Sequence, residues 1–320
     1  MYKDSKIYVA GHGGLLGSSI VRALKARAFS NIITYPKDIL DLRSEQAVNS
    51  FFKREKPDYV FLAAAKVGNI SANINYQADF LEDNLKIELN VITASHNWGV
   101  KKLIFFGANC IYPRECSQPM SEKHLYSGPL EPTNRAYAVA KLAGLELCRS
   151  YNVQHHTNFI VAIPASIYGE GDHFDPERAH VLPDMIKKFH NARLSELSEI
   201  VFFGDGSPRR EFIYVDDVAD ASIFLMENFN PSRADAERGD VLMNIGTGVD
   251  HTIAELAEMV KSVVGYKGKV NWDKSKPNGM PKKLLDSSQC MALGWRPQIS
   301  ISDGIRRTYN WYIRDLKNLY

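Results

Sequence analysis

The stretch that decides the fold is KIYVAGHGGLLGSSIVRALKARA, residues 6–28. Lys6 to Ala10 is a short apolar run suited to a buried strand. SSIVRALKARA then carries its apolar residues at helical spacing. Between them Gly11, Gly14 and Gly17 form a GxxGxxG turn. The first glycine permits the tight turn and the second lets backbone approach a pyrophosphate. The third packs helix against strand. The helix N-terminus adds unpaired N–H groups and the positive end of its dipole. A glycine-rich turn alone is common. After an N-terminal strand and before a helix, it is the expected context for a dinucleotide.

Working outward, NIITYP (31–36) predicts the second strand, followed by Lys37 and Asp38. An acid at this strand end takes a ribose 2′-OH, whereas a cation takes a 2′-phosphate, so Lys37 points to NADP over NAD. Asp41 either sits beneath the adenine or caps the helix that starts near Ser44. YVFLAAA (59–65) predicts a third strand closed by Ala63, Ala64 and Ala65, whose small side chains leave room for a cofactor or for tight packing. A long helix (79–99) and the strand KKLIFFG (101–107) follow. Strands alternating with helices predict a doubly wound parallel α/β sheet. FFGANCIYP therefore places residues 108–110 at its carboxyl edge, beside the cofactor.

In NRAYAVAKLAG (134–144), Tyr137 and Lys141 lie four apart on one helix face. A nearby cation lowers a phenol's pKa, making an acid able to deliver a proton near neutral pH. Alone, the same pair is commonplace on a solvated face.

With 320 residues, 45% hydrophobic and 24% charged, the chain is long enough for one large or two smaller cores. A net charge of +2 makes no nucleic-acid footprint. No apolar run reaches membrane-spanning length. Cys110, Cys116, Cys148 and Cys290 show neither metal spacing nor a disulfide framework, and the start shows no signal-peptide core, so a cytoplasmic protein without metal is expected.

GxxGxxG, AAA and the YxxxK pair together resemble the extended short-chain dehydrogenase/reductase family. AAAKVGNI, CIYP, QPMSE, LEPTNRAYAVAK, HVLPDMIKKFH, GDGSPRREFIYVDD, NIGTGVDHTI and SKPNGMPKKLLD narrow the resemblance to its GDP-L-fucose synthases, from about residue 6 to 315. The resemblance implies an NADP(H)-dependent 3,5-epimerase/4-reductase of GDP-4-keto-6-deoxy-D-mannose. It implies Tyr137 as proton donor to the C4 oxygen, with Lys141 lowering its pKa and holding the nicotinamide ribose. Cys110 would remove protons at C3 and C5 and His180 return them on the opposite face. Leu15, Leu16 and Pro164 would line the cofactor. Asn109, Ser166, Lys188, Arg210 and Lys283 would face the GDP-sugar. It also implies a Rossmann domain over 1–165 with a returning segment near 212–245, a smaller lobe mainly over 166–320, and a homodimer through helices 79–98 and 137–151.

The chemistry has its own logic. Protons alpha to a ketone are acidic because the enolate delocalises onto the carbonyl oxygen, which a donor there stabilises. A thiol near ~8.5 and an imidazole near ~6.5 suit opposite faces. Guanidinium pairs bidentately with phosphate oxygens, which favours Arg210 on a diphosphate over an ion pair with Glu211 or Asp216. A redox sensor that only bound NADP would have no use for the YxxxK pair. A pure C4 reductase would not need both Cys110 and His180. An epimerase/reductase for another GDP-4-keto sugar, a heptose or a dideoxy sugar, remains the alternative.

The chain departs from the family's pattern at Ala108, where the family has a serine completing a Ser-Tyr-Lys triad. An introduced Ser-to-Ala change is favoured; Asn109 as substitute donor, or a shift toward epimerisation with feeble reduction, are the other readings. Gly13 replaces a basic residue that often meets the 2′-phosphate, leaving that task to Lys37. Asn69 and Ser166 stand where Gly and Asn are more usual, which leaves the keto sugar open.

Overall fold

The computed structural model describes residues 1–175, 178–276 and 278–318. The first half alternates as expected: β1 (Ile7–Ala10), α1 (Leu15–Ala26), β2 (Ile32–Ile33), α2 (Glu45–Glu55) and β3 (Tyr59–Leu62). Then come α3 (Ile70–Asn75), α4 (Gln77–Asn97), β4 (Lys102–Phe106), α5 (Arg135–His155) and β5 (Phe159–Pro164). The second half continues with β6 (Ser166–Tyr168), α6 (Val181–Leu194), β7 (Glu199–Phe203), β8 (Arg209–Tyr214), α7 (Val215–Asn228) and α8 (Arg233–Arg238). It ends with β9 (Leu242–Ile245), β10 (Asp250–Thr252), α9 (Ile253–Val264), β11 (Lys269–Asp273), β12 (Lys282–Lys283), α10 (Ser288–Ala292) and α11 (Ile301–Asn318).

Six parallel strands form the main sheet in the order β2-β1-β3-β4-β5-β9. β1, β4 and β5 are apolar at nearly every position and wholly buried, because helices cover both faces. The chain leaves β1 toward β2 on one side and β3 on the other. That reversal opens a crevice at the carboxyl ends of β1 and β3, where doubly wound sheets take ligands. Two local expectations shift. The second strand shrinks to Ile32–Ile33, since Pro36 follows closely and the strand lies half-buried at the sheet edge. Ala63, Ala64 and Ala65 lie just past β3 instead of closing it.

After β5 the chain builds outside this sheet. β8 pairs with β6 and β12 in parallel and with β10 antiparallel, and β7 pairs with β11. α7 and β9 return to the first sheet. α7 docks on α1, where Asp216 accepts from Ser19 at 2.6 Å and pairs with Arg22 at 3.0 Å. The buried Lys102 Nζ at the start of β4 donates to Leu225 O, Met226 O and Phe229 O at 2.9, 3.0 and 2.6 Å. These carbonyls lie at the carboxyl end of α7, where only Leu225 O keeps a backbone partner, the Phe229 N–H at 3.0 Å, so the lysine satisfies the helix end and complements the dipole.

Candidate active site

The glycine turn is built by contact. Gly11 has φ +82, a left-handed conformation suited to glycine, and a Cβ there would lie 2.6 Å from Ala64 N. A Cβ on Gly17 would lie 2.1 Å from Gly11 O. Both glycines thus bring α1 and the end of β1 against the alanine loop. Gly14 is the N-cap of α1; no side chain caps it and no acid lies in the first turn. The Gly14 N–H donates to Gly11 O at 3.0 Å, while the first N–H groups of α1 beyond it have no helical acceptor and point to an anion, so the cradle fits a dinucleotide pyrophosphate. Leu15 is half-buried and Leu16 buried in the core at the start of α1, and Pro164 ends β5. His12 was not singled out from the sequence. Its Nδ1 is buried within the loop without a hydrogen-bond partner, a position that only its place between the glycines could have signalled.

At the adenosine end, Lys37 is exposed, and no ion pair engages it among the described residues. Space above Gly13 is open to 4 Å. Ser44 caps α2 by accepting from Ala47 N, so Asp41 does not serve as that cap. Asp41 instead pairs with Arg43 at 2.7 Å, and the guanidinium holds its pKa down at about 2. Arg43 also reaches Asp83 at 3.2 Å, and Asp83 reaches Lys66 at 2.9 Å. Asn69, at a departure from the family's pattern, caps α3 by accepting from Ala72 N at 2.9 Å.

The strand β4 delivers Ala108 in extended conformation (φ −149, ψ 151) to a 3-10 turn over Asn109–Ile111. Cys110 is buried in that turn, against the first turns of α5 where Tyr137 lies. Tyr137 meets the edge of Phe80 at 6.4 Å between ring centres. The Lys141 Nζ lies 5.8 Å from the Tyr137 ring centre and 4.6 Å from that of Phe105. The Lys141 ammonium is paired with Glu88 Oε1 of α4 at 3.1 Å. Burial pushes the Tyr137 phenol well above its ordinary value, and Cys110 and Glu88 push the same way. Glu88 was invisible in the sequence, where it reads as one more polar position of a long helix.

Burial likewise raises the Cys110 thiol, while Lys283 and Lys141 oppose it. Lys283 brings β12 to the same place. In the parallel register of β12 and β8, Lys283 stands beside Arg210 and Lys282 beside Arg209. Alternation then divides the four cations. Arg209 and Lys282 reach Asp250 at 2.6 and 3.1 Å. Arg210 and Lys283 form no ion pair among the described residues. Burial lowers both their pKa values, and Cys110 and Arg210 act in opposite senses on Lys283. Arg210 donates to Met280 O at 2.6 Å and Arg209 O at 2.8 Å, not to Glu211 or Asp216. Glu211 is spent on the N–H groups of Gly248 and Leu285 at 2.7 and 2.9 Å.

His180 is the N-cap of α6 and makes no capping bond with its side chain. Its ring is exposed, yet the surrounding protein lowers its pKa, helped by His173. No hydrogen bond or ring contact joins it to Cys110 or Tyr137 among the described residues. Lys188, one face along α6, pairs with Asp184 at 2.8 Å. Ser166 opens β6, half-buried. The described residues contain no cluster suited to a metal ion.

Comparison with known proteins agrees with this geometry. The profile of the NAD dependent epimerase/dehydratase family matches residues 7–246. A putative GDP-L-fucose synthase 2 of Arabidopsis thaliana is 50% identical over 98% of this chain and 93% of its own. GDP-L-fucose synthase of Escherichia coli K12 is 44% identical over 97% of each chain. A GDP-mannoheptose C4 reductase of Campylobacter jejuni, solved with NADP bound, superposes with a TM-score of 0.89 at 39% identity, over 98% of this chain and 99% of its own. The chain thus belongs to the NAD dependent epimerase/dehydratase family and is related along nearly its whole length to that family's GDP-L-fucose synthases.

Proposed function

We propose that the protein is an NADP(H)-dependent enzyme that epimerises GDP-4-keto-6-deoxy-D-mannose at C3 and C5 and reduces it at C4, giving GDP-L-fucose. The observation that carries this reading is the pair Arg210 and Lys283. Two desolvated cations stand side by side next to the thiol of Cys110, neither in an ion pair among the described residues, with Glu131 acting on Lys283 only at longer range. Desolvated unpaired cations are costly, and a bound diphosphate resolves that cost.

The chain's own residues then divide the work. Arg210 and Lys283 hold the diphosphate and so fix the sugar over Cys110. The Cys110 thiolate takes the proton from C3, and the enolate spreads onto the C4 oxygen. His180 returns a proton to the opposite face; Cys110 then gives its proton to solvent and His180 takes one up, and the same exchange at C5 completes the epimerisation. Tyr137 donates to the C4 oxygen, first to the enolate by hydrogen bond and then to the alkoxide by proton transfer. Gly11–Gly17 would hold the pyrophosphate of NADPH and Lys37 its 2′-phosphate, and the cofactor would supply the hydride to C4. Asn109 stands beside Ala108 with its amide free of protein partners among the described residues, a substitute donor for the missing hydroxyl.

The same reading makes the protein a cytoplasmic homodimer paired through α4 and α5, whose outer faces expose Leu89 and Val139. No described helix is long and apolar enough to cross a membrane.

The test supplies NADPH and GDP-4-keto-6-deoxymannose in D₂O. Deuterium should enter C3 and C5 and cofactor should be oxidised, with Cys110→Ala abolishing the deuterium exchange. Cofactor oxidation without exchange would favour a C4 reductase, the activity named for the Campylobacter structure. Neither event would remove this sugar as substrate.

A further inference from the structure

His180 sits where two arms of one chain segment meet. Ahead of it, the loop that leaves β6 carries Phe174; beyond it, α6 carries His190. One ring on α11 touches both arms. Tyr312 stacks on Phe174 at 4.3 Å between ring centres, tilted by 24°, and meets the edge of His190 at 5.4 Å and 87°. Trp311 backs the same Phe174 ring at 6.2 Å. One turn earlier on α11, the Tyr309 hydroxyl shares a hydrogen bond of 3.1 Å with His190 Nδ1. Lys187 Nζ of α6 donates to Phe174 O at 2.9 Å, and Ala179 N to Asp175 O at 2.9 Å. Tyr312 is 5% exposed, yet its hydroxyl enters no hydrogen bond among the described residues. The ring alone joins the arms.

We propose that Tyr312 is a positioning residue for the acid of the epimerisation: its ring locks the β6–α6 loop to α6 and so holds His180 in place against the sugar. The His180 side chain makes no capping bond of its own, so its place is set by the arms on either side. Proton delivery to carbon demands a fixed donor, and a misplacement of about 1 Å costs on the order of 10²-fold. Reduction asks less of His180. The hydride goes to C4, the Tyr137 proton to the C4 oxygen, and oxidised cofactor leaves, whether or not C3 and C5 have been inverted. Loosening the clamp therefore lets the ketone be reduced before inversion.

This inference rests on the role given to His180 above, and two measurements test it in wild type, Tyr312→Phe, Tyr312→Leu and Phe174→Leu. With NADPH and GDP-4-keto-6-deoxymannose, the product sugars are identified by NMR. Wild type and Tyr312→Phe, which keeps the ring, should give the fully inverted sugar. Both Leu variants should slow inversion about ten- to hundred-fold and release sugars reduced without inversion at C3, C5 or both. Inversion and reduction falling together, with the product unchanged, would mark a merely structural ring and overturn the proposal. The second measurement needs neither sugar nor cofactor: the His180 imidazole, assigned by its loss in His180→Gln, is titrated by NMR. The groups facing it are His173 on the same loop, Asp175 and Arg178 acting on His173, and Asp184 in the first turn of α6. Burial and then His173 lower its pKa in wild type. Release from these surroundings should move the titration up in both Leu variants and leave it in place in Tyr312→Phe. A titration unmoved in the Leu variants overturns the proposal. If Tyr312→Leu does not fold, Phe174→Leu carries both measurements. A wild type that yields no inverted sugar removes the proposed function, whereas the titration still reads the clamp, so the two readings fall separately.

Discussion

In the proposed mechanism, Ala108 is the residue on which the rate of reduction turns. Its backbone is extended, it caps a 3-10 turn without any side-chain bond, and it remains half-open to the cleft. A serine adds one hydroxyl there without requiring another backbone conformation. That hydroxyl would give the C4 oxygen a second donor beside Tyr137. One such donor is worth about a hundred-fold or more in rate. Ala108→Ser should therefore raise the single-turnover rate of cofactor oxidation by ~10², while deuterium exchange at C3 and C5 changes less. A variant no faster than the present protein would mean that Asn109 already serves the oxygen. The same residue shows what sequence alone conveys. The gap at position 108 was legible because its neighbours Cys110, Tyr137 and Lys141 fix the register. Whether anything filled the gap was not.

Among elements, the α4–α5 pair separates what local pattern reveals from what packing decides. The glycine turn and the four-residue spacing of Tyr137 and Lys141 were legible, because both depend on the local period of strand and helix. The shortened β2 was harder to foresee, since a strand's extent depends on its neighbour in the sheet. Glu88 lies 53 residues before Lys141, and only the packing of two long helices brings them together. Gly144 marks that packing. It sits in mid-helix, where glycine ordinarily costs ~1 kcal/mol relative to alanine. Here the sign should reverse. Gly144→Ala places a methyl 2.5 Å from the Phe105 ring and 2.8 Å from Glu88, and the helices must part or the ring must turn. The expected loss is ~1–3 kcal/mol in urea unfolding, despite alanine's better helix propensity. A variant as stable as wild type or more so would mean that α4 and α5 yield without cost.

For the molecule as a whole, the crossing from the main sheet into the second lobe carries a charge that couples stability to pH. Chain leaving β6 turns through Gly169 and Gly171, both at positive φ, and passes over the first turn of α1. Asp172 follows, 7% exposed. One of its oxygens accepts from His173 N at 2.8 Å and the other has no partner. Burial raises its pKa from 3.8 to about 7. In the unfolded chain the carboxyl returns to its ordinary value, so between ~4 and about 7 the folded state binds more protons. Stability must then fall as pH rises through that window and level off above it. A shift of this size corresponds to a few kcal/mol, on the order of 2–4. Asp172→Asn keeps the shape and the bond from His173 but cannot ionise. Relative to wild type it should be equally stable near pH ~4 and more stable by most of that amount near ~8. Urea midpoints of both proteins across this range measure the difference, and other carboxylates cancel because they are common to both. A difference that does not grow with pH would mean that Asp172 stays ionised in the fold, with its second oxygen answered by solvent as the lobes move.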